Sequence, residues 1–569
     1  MSYTYDARNL QLTITNDIIG KTVGYTYDER GRKVALTYPD GETITYTRDS
    51  RGQVARLASD RPGPGGEPPP SVDYAYNPDG SLASMDYGFG MHVERLYDRA
   101  GRLVDLRYTK PDGTVISDFA YTHDEAGNIL SKTTDFGLVQ YGYDALDRLV
   151  LADYDWKADE TFAYDAVGNR TADAGHPVWH YDAANQLLAY GAGPHDPAGQ
   201  TPPTVPAFTF AYDANGSTVS NTYPAAGTTD QYGYSFDNRM NEVWRNGELV
   251  ARYFYDHLSQ RTRKDLFTDG SPTGTTWFVY GHEGLLVEYD TAGALIRKYA
   301  WQPDRPWGVD PVCLCALGDD RYYFITDHLF TPQQMLDETF NSVWQADWQS
   351  FGRLETAIES APSNLRFPGQ YRDAESSLMY NCNRYYSVEA GRYLAQDPVR
   401  APNFPPLYHY AYSNPPRFFD QLGLKAGDIC EDIIIRRKDI ELSDGIEYGH
   451  WWVQIGFIYD EDSRSYGWWP DRQVGFYDTF AGVPGVLNGV GPVFGGSAFR
   501  DPHHYDTEGT FYGKGGIASS DRCKCWSCED AKECLIKFAH SYLGEWSYWR
   551  SCHTFQEEMI EKCCLEVHK

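Results

Sequence analysis

Aromatic and β-branched residues alternate with polar ones through the first 300 residues, and short polar breaks interrupt the alternation at intervals. The recurring unit reads aromatic-x-aromatic-Asp, two or three residues, Gly, then Arg or Asn and an aliphatic residue. Tyr25-Thr26-Tyr27-Asp28 precedes Gly31-Arg32, and Tyr121-Thr122-His123-Asp124 precedes Gly127-Asn128-Ile129. Tyr141-Gly142-Tyr143-Asp144 leads to Arg148-Leu149, and Phe162-Ala163-Tyr164-Asp165 to Gly168-Asn169. Degenerate copies follow at Tyr181-Asp182, Tyr212-Asp213, Phe236-Asp237 and Tyr255-Asp256. A period of two predicts strands. Asp bonds its own backbone in turns and Gly tolerates positive φ, so each unit predicts a hairpin. One hairpin cannot bury its apolar face but stacked copies can, so the pattern predicts a long coiling sheet. The Pro/Gly-rich stretches at 61–70 and 191–206 are expected to be loops between repeat blocks.

From about Tyr322 the pattern changes. Tyr322 to Leu329 is followed by Trp348 to Arg353, Leu365-Arg366-Phe367-Pro368-Gly369-Gln370-Tyr371, Leu378 to Asn381 and Asn383-Arg384-Tyr385-Tyr386. Gly391 to Leu394, Gln396-Asp397-Pro398, Tyr410 to Pro416 and Asp420-Gln421-Leu422-Gly423-Leu424 complete the block. Repeats and block together resemble the rearrangement-hotspot (RHS, Tyr-Asp repeat) polymorphic toxin family. That resemblance implies a mainly β protein in three parts. These are a repeat shell over 1–320, a partial cocoon at this length; a repeat-associated core over 321–424; and an α+β toxin domain over 425–569. It further implies that the core cuts itself between Leu424 and Lys425 through Asp397 and Asp420. Two carboxylates held together share a proton, so one can activate water while the other donates. The sequence departs from the family motifs at Arg400, where Gly is usual, and at Gln421, where Pro is usual.

The pattern changes again at Lys425. Alternation over Glu447–Tyr459 places Trp451, Val453, Ile455 and Phe457 on one face of a strand and His450, Trp452 and Gln454 on the other. Further strands are expected over 466–469 and 474–479. Ala531, Leu535, Phe538, Ala539 and Tyr542 fit one helix face. Ser551 reads as the N-cap of a last helix carrying Phe555, Met559 and Cys563. Cys552 then sits in the first helical turn, where free N–H groups and the helix dipole favour thiolate. A strand His followed by a Cys at a helix start resembles circularly permuted papain-like hydrolases, including permuted cell-wall peptidases and lecithin:retinol acyltransferase-like enzymes. The resemblance implies nucleophilic attack by Cys552 on an amide or ester carbonyl, with His450 as base. Gln454 would orient the imidazole or stabilise the oxyanion, and His553 is a substitute base.

Two other constellations compete. Asp501-Pro502-His503-His504-Tyr505-Asp506 offers His and carboxylate ligands for a divalent metal, as a nuclease would use. Cys523, Cys525, Cys528 and Cys534 lie within twelve residues, and both a zinc site and disulfides remain open for them. No other cofactor is expected. A repeat-built interaction protein without enzymatic activity is the third reading.

Charge narrows the partners. With 50 Lys and Arg against 80 Asp and Glu, the chain carries −30, which argues against nucleic-acid binding by the molecule as a whole. The beginning Met1-Ser2-Tyr3-Thr4 has no basic-then-apolar signal, and no apolar run of about 18 residues predicts a transmembrane helix. The expectation is an effector held in the producer's cytoplasm and delivered without a signal peptide. The family resemblance implies a cognate immunity protein, a secretion apparatus or adaptor such as type VI secretion, and a target-cell substrate: peptidoglycan peptide, lipid or protein.

Overall fold

The computed structural model describes residues 1–424 except 9, 63–68, 79, 317–319 and 399–406; beyond 424 it describes only the backbones of eight strands. The described chain is almost entirely antiparallel β-sheet. Sixteen strands, β1 (Ser2–Tyr5) to β16 (Arg170–Asp173), pair in chain order as one sheet; sixteen more, β17 (Val178–Tyr181) to β32 (Leu354–Glu359), form a second.

The turns follow the sequence unit. The Asp28 carboxylate accepts the N–H groups of Arg30 and Arg32, each at 2.9 Å, while Asp28 N–H reaches Arg32 O and Gly31 takes φ +78°. Asp98, Asp144, Asp165, Asp256 and Asp290 repeat the pair of bonds to residues two and four ahead. The third residue after Asp adopts positive φ even when it is not Gly, as at Asp147 (57°) and Ser259 (68°).

The Tyr before Asp joins neighbouring units. Tyr97, Tyr143 and Tyr212 donate their hydroxyls to the carbonyls of Leu82, Ile129 and Leu187, where the preceding return strand begins. Arg four residues after Asp does the same toward the next unit: Arg102 reaches Asp124 O at 2.6 Å and Arg148 reaches Asp165 O at 2.8 Å. At 232–239 the unit sits two residues earlier than Phe236-Asp237 suggests. Tyr234 bonds Thr218 O and Ser235 takes the place of Asp, which leaves Phe236 fully exposed at the turn tip.

Both Pro/Gly-rich stretches fall between strands that pair within a sheet. Strand 54–59 pairs with 71–76, and strand 187–192 with 205–212. The two sheets part instead at 174–177. The second sheet runs unbroken to Glu359, past the change of pattern near Tyr322.

Part of the second sheet is covered on both faces. Gly284–Tyr289 is buried at every position, as is Pro332–Leu336. On one face Lys298 pairs with Glu42 and with Asp40 (2.9 Å) of the first sheet, and the Lys21 ammonium lies 4.4 Å over the Tyr289 ring. On the other face Tyr299 bonds Glu288, which also accepts from Tyr371 of a small third sheet. That sheet comprises β33 (Tyr371–Asp373), β34 (Leu378–Asn381), β35 (Arg384–Ser387) and β36 (Arg392–Tyr393). Arg261 and Lys264 of the second sheet pair with its buried Asp373.

After Leu424, β37 (Ile429–Glu441), β38 (Glu447–Ile455), β39 (Arg464–Tyr466), β42 (Thr510–Ile517) and β44 (Leu565–His568) form a five-stranded sheet. The short β40 (Trp468–Pro470), β41 (Val483–Leu487) and β43 (Glu545–Trp546) form a three-stranded one.

Candidate self-cleavage site

The third sheet gathers the core residues through one tight turn. β34 and β35 pair with Asn381 opposite Arg384, and Cys382 in the turn takes φ +49°. Three polar side chains, those of Asn381, Asn383 and Arg384, therefore crowd one hairpin tip. The segment 420–424 lies along that tip and is held by its carbonyls. Asn381 Nδ2 donates to Asp420 O (2.7 Å), Asn383 N and Nδ2 to Leu422 O (3.1 and 2.9 Å), and Arg384 Nε to Gly423 O (2.6 Å). Close backbone approach depends on two glycines. Gly423 (φ +63°) lies against Asn381 O, and Gly369 (φ +79°) lies against the Gln421 carbonyl; a Cβ at either would overlap backbone.

The two aspartates expected from sequence come together, with a cation between them. Arg384 Nη2 is 2.9 Å from Asp397 Oδ2 and 3.0 Å from Asp420 Oδ2. The Arg384 and Asp420 side chains are 2% exposed and Asp397 is 19% exposed. Tyr393 donates to Asp420 Oδ2 (2.8 Å), and its ring stacks under the guanidinium at 3.6 Å. Burial and the adjacent Asp420 hold the Tyr393 phenol well above its usual range, so it stays a donor. Asp420 Oδ1 accepts Leu424 N–H at 3.1 Å, next to the bond expected to be cut. Leu424 is described and Lys425 lies outside the described residues.

In sequence Arg384 is only one member of the core block, and its place between the two aspartates was missed. The hint available there was a basic residue beside two Asn in an otherwise aromatic run. Arg400 lies outside the described residues; the cation described at the pair is Arg384. Gln421 is accommodated with its backbone packed on Gly369.

The other expected site falls on less of the structure. His450 and Gln454 lie on β38, where they pair with Lys438 and Ile434 of β37; four residues apart on a strand, they share a face. Cys552, His553, His503, His504, Cys523, Cys525, Cys528 and Cys534 lie outside the described residues, as do both expected helices and the 474–479 strand. The strand expected over 466–469 is realised as the ends of two short ones, β39 and β40.

Comparison with known proteins follows the same division. Residues 91–281 match the Teneurin YD-shell family model, 322–357 the RHS protein model and 5–43 the RHS repeat model. Toxin protein Tse5 of Pseudomonas aeruginosa is 30% identical over 356 residues, 53% of this chain and 27% of that one. Double-stranded DNA deaminase toxin A of Burkholderia cenocepacia is 28% identical over 334 residues, 53% of this chain and 22% of its own. The chain thus spans about a quarter of the length of these relatives. Among solved structures, TcdB2-TccC3 without its hypervariable C-terminal region aligns with 74% of this chain and 23% of its own at a TM-score of 0.58 and 18% identity, which is a likeness of fold. The repeat and core region is thus similar in sequence to RHS and YD-repeat proteins over 5–43, 91–281 and 322–357, and shares its β architecture with TcdB2-TccC3.

Proposed function

We propose that the chain is an RHS-type polymorphic toxin whose core hydrolyses the Leu424–Lys425 peptide bond and frees the C-terminal region. The observation that carries this reading is Arg384 Nη2 set between Asp397 and Asp420, with Leu424 N–H on the second carboxylate. One water is consumed. Asp397, the more exposed carboxylate, takes a proton from that water as its oxygen adds to the Leu424 carbonyl carbon. The proton passes to the departing Lys425 nitrogen, leaving a Leu424 carboxylate and a new amino terminus. Asp420 fixes the scissile residue through its N–H, and Arg384 offsets the charge of both acids while anchoring Gly423. No metal enters this scheme.

The purified chain should run as two fragments, the smaller beginning Lys425-Ala426-Gly427. Asp397→Asn, Asp420→Asn and Arg384→Gln should each remain one chain. Cleavage at an unchanged rate in Asp420→Asn would remove the reading.

Within the freed region the favoured chemistry is a Cys552 nucleophile with His450 as base and Gln454 beside it, supported by the order of these residues and the shared strand face. The region would act in a competing bacterium, delivered by a secretion system and neutralised in the producer by an immunity protein. A second reading, nucleic-acid chemistry through His503 and His504, is favoured by the relative whose name gives double-stranded DNA as its target. Growth of a susceptible bacterium expressing the region with and without Cys552→Ala separates them: equal killing by both forms turns the choice to His503 and His504.

A further inference from the structure

Cys313 and Cys315 set two free thiols side by side, away from the self-cleavage site. Both lie on β28 (Pro311–Ala316), two residues apart and so on one face, with their Sγ atoms 3.8 Å apart. Cys313 is buried, and Cys315 is partly exposed near the end of the strand.

Strand register sets a cation on either side of Cys315. Lys298 of β27 (Leu295–Trp301) lies directly opposite it, and so does Arg321 of β29 (Arg321–Thr326). Residues directly opposite share a face, with Cβ atoms about 5 Å apart. At the same two junctions Cys313 meets Ala300 and Tyr323, so the neighbouring sulfurs differ in their charge surroundings. The hydrogen bond with Cys313 holds the Cys315 thiol below its usual range; Lys298 and Arg321 add to this, while burial and Glu42 oppose it. That same hydrogen bond, with burial, pushes the Cys313 thiol well up. Cys315 is therefore the nucleophilic sulfur and Cys313 the one that keeps its proton. Flanking cations favour a thiolate and disfavour a bound metal cation, so the arrangement suits sulfur chemistry better than metal binding.

We propose that Cys313 and Cys315 are a redox pair: a peroxide oxidises Cys315, and Cys313 resolves the product to a disulfide within the strand. The small size of hydrogen peroxide suits a sulfur that is only partly exposed. The Cys315 thiolate attacks one peroxide oxygen, the O–O bond breaks, and the departing hydroxide takes a proton to become water. Cys315 is then a sulfenic acid. The Cys313 sulfur attacks it, the S–O bond breaks, and the second hydroxide leaves as water with the Cys313 proton. Two thiols and one peroxide thus give one disulfide and two waters. Cα atoms two residues apart on a strand are about 6.6 Å apart, at the upper end of the roughly 4.4–6.8 Å that a disulfide spans. Cys315 makes the last β28–β29 pair, so a bend at the strand end is enough to close the bond.

Trypsin, which does not cut before Pro306, places both thiols in peptide 299–321 and Cys382 in peptide 373–384. Cys382 is a control within the same protein, because burial pushes its thiol up to about 12. The purified protein is treated with equimolar hydrogen peroxide, quenched with N-ethylmaleimide, digested without reductant and read by mass spectrometry. Peptide 299–321 should lose two hydrogens and escape alkylation, at a rate at least tenfold above any oxidation of Cys382, and dithiothreitol should restore both thiols. In Cys313→Ser, Cys315 should stop at the sulfenic acid and be captured by dimedone. In Cys315→Ser, Cys313 should stay a thiol. The parent protein tests the pairing by itself, whatever the folding of the variants. The proposal is overturned if peptide 299–321 keeps both thiols, if Cys315 reacts no faster than Cys382, if either sulfur pairs with another cysteine, or if Cys313 reacts as fast without Cys315.

Discussion

At the scale of single residues, the candidate site depends as much on two missing side chains as on the charged ones present. Gly369 holds φ +79° with the Gln421 carbonyl where a Cβ would be, and Gly423 does the same against Asn381 O. Alanine at 369 has to meet a left-handed backbone cost of about 1 kcal/mol and push segment 420–424 away from the hairpin tip. That movement carries Asp420 and Leu424 away from Arg384 and Asp397 without changing any of these side chains. Gly369→Ala is therefore expected to slow self-cleavage tenfold or more while the far-UV circular dichroism of the sheets is kept. Cleavage at the parent rate in a folded Gly369→Ala protein would mean that the register of 420–424 does not govern the reaction.

At the scale of elements, a buried histidine ties the core block to the second sheet. His328 follows the turn residue Asp327, and its Nε2–H donates to Pro416 O at 2.8 Å. Burial holds the imidazole at about 4 instead of 6.5, with Lys132 and His123 adding to the shift and Asp327 opposing it. Between those two values the unfolded chain binds a proton that the folded one refuses. Its contribution is thus fully present above about pH 6.5 and is lost as pH falls toward 4, by on the order of 3 kcal/mol at most. Urea midpoints measured from pH 7 to 4.5 should fall more steeply for the parent than for His328→Gln; parallel curves would show that His328 is protonated in the fold. This anchor was not legible in sequence, because its partner lies 88 residues away. The local turn was. Asp bonding two and four residues ahead needs nothing beyond its own segment, so the hairpins could be read from Tyr-x-Tyr-Asp and Gly. The same locality explains the misread copy at 236, where Ser235 does the work of Asp and no Asp marks it. Asp397 and Asp420 were readable from the core block as a whole, whereas Arg384 as their bridge required knowing that a two-residue turn and a distant segment meet.

At the scale of the molecule, the sheets are not an array in which each unit touches only its neighbours. Side chains join them across long separations: Lys298 to Glu42, Tyr108 to Thr326, Lys132 to Asp327 and Trp156 to Asp347. A repeat protein with nearest-neighbour contacts alone can unfold in segments. Here unfolding the first sheet would break the Lys298 pairs and uncover the second-sheet face beneath them, and losing the core block would do the same at Arg261 and Lys264. Uncovering either face also forfeits its apolar burial, so partly unfolded states are penalised at both joints. The expectation is one transition for residues 1–424. Hydrogen exchange in urea should give the same midpoint for β10 (Leu103–Thr109), for β27 (Leu295–Trp301) and for β35. Asp373→Ala leaves Arg261 without its acid and Lys264 with Glu375 alone, and should lower all three midpoints together. If only the core block and the second sheet shift while β10 keeps its midpoint, the cross-sheet pairs do not couple the layers, and the first sheet is an independent folding unit.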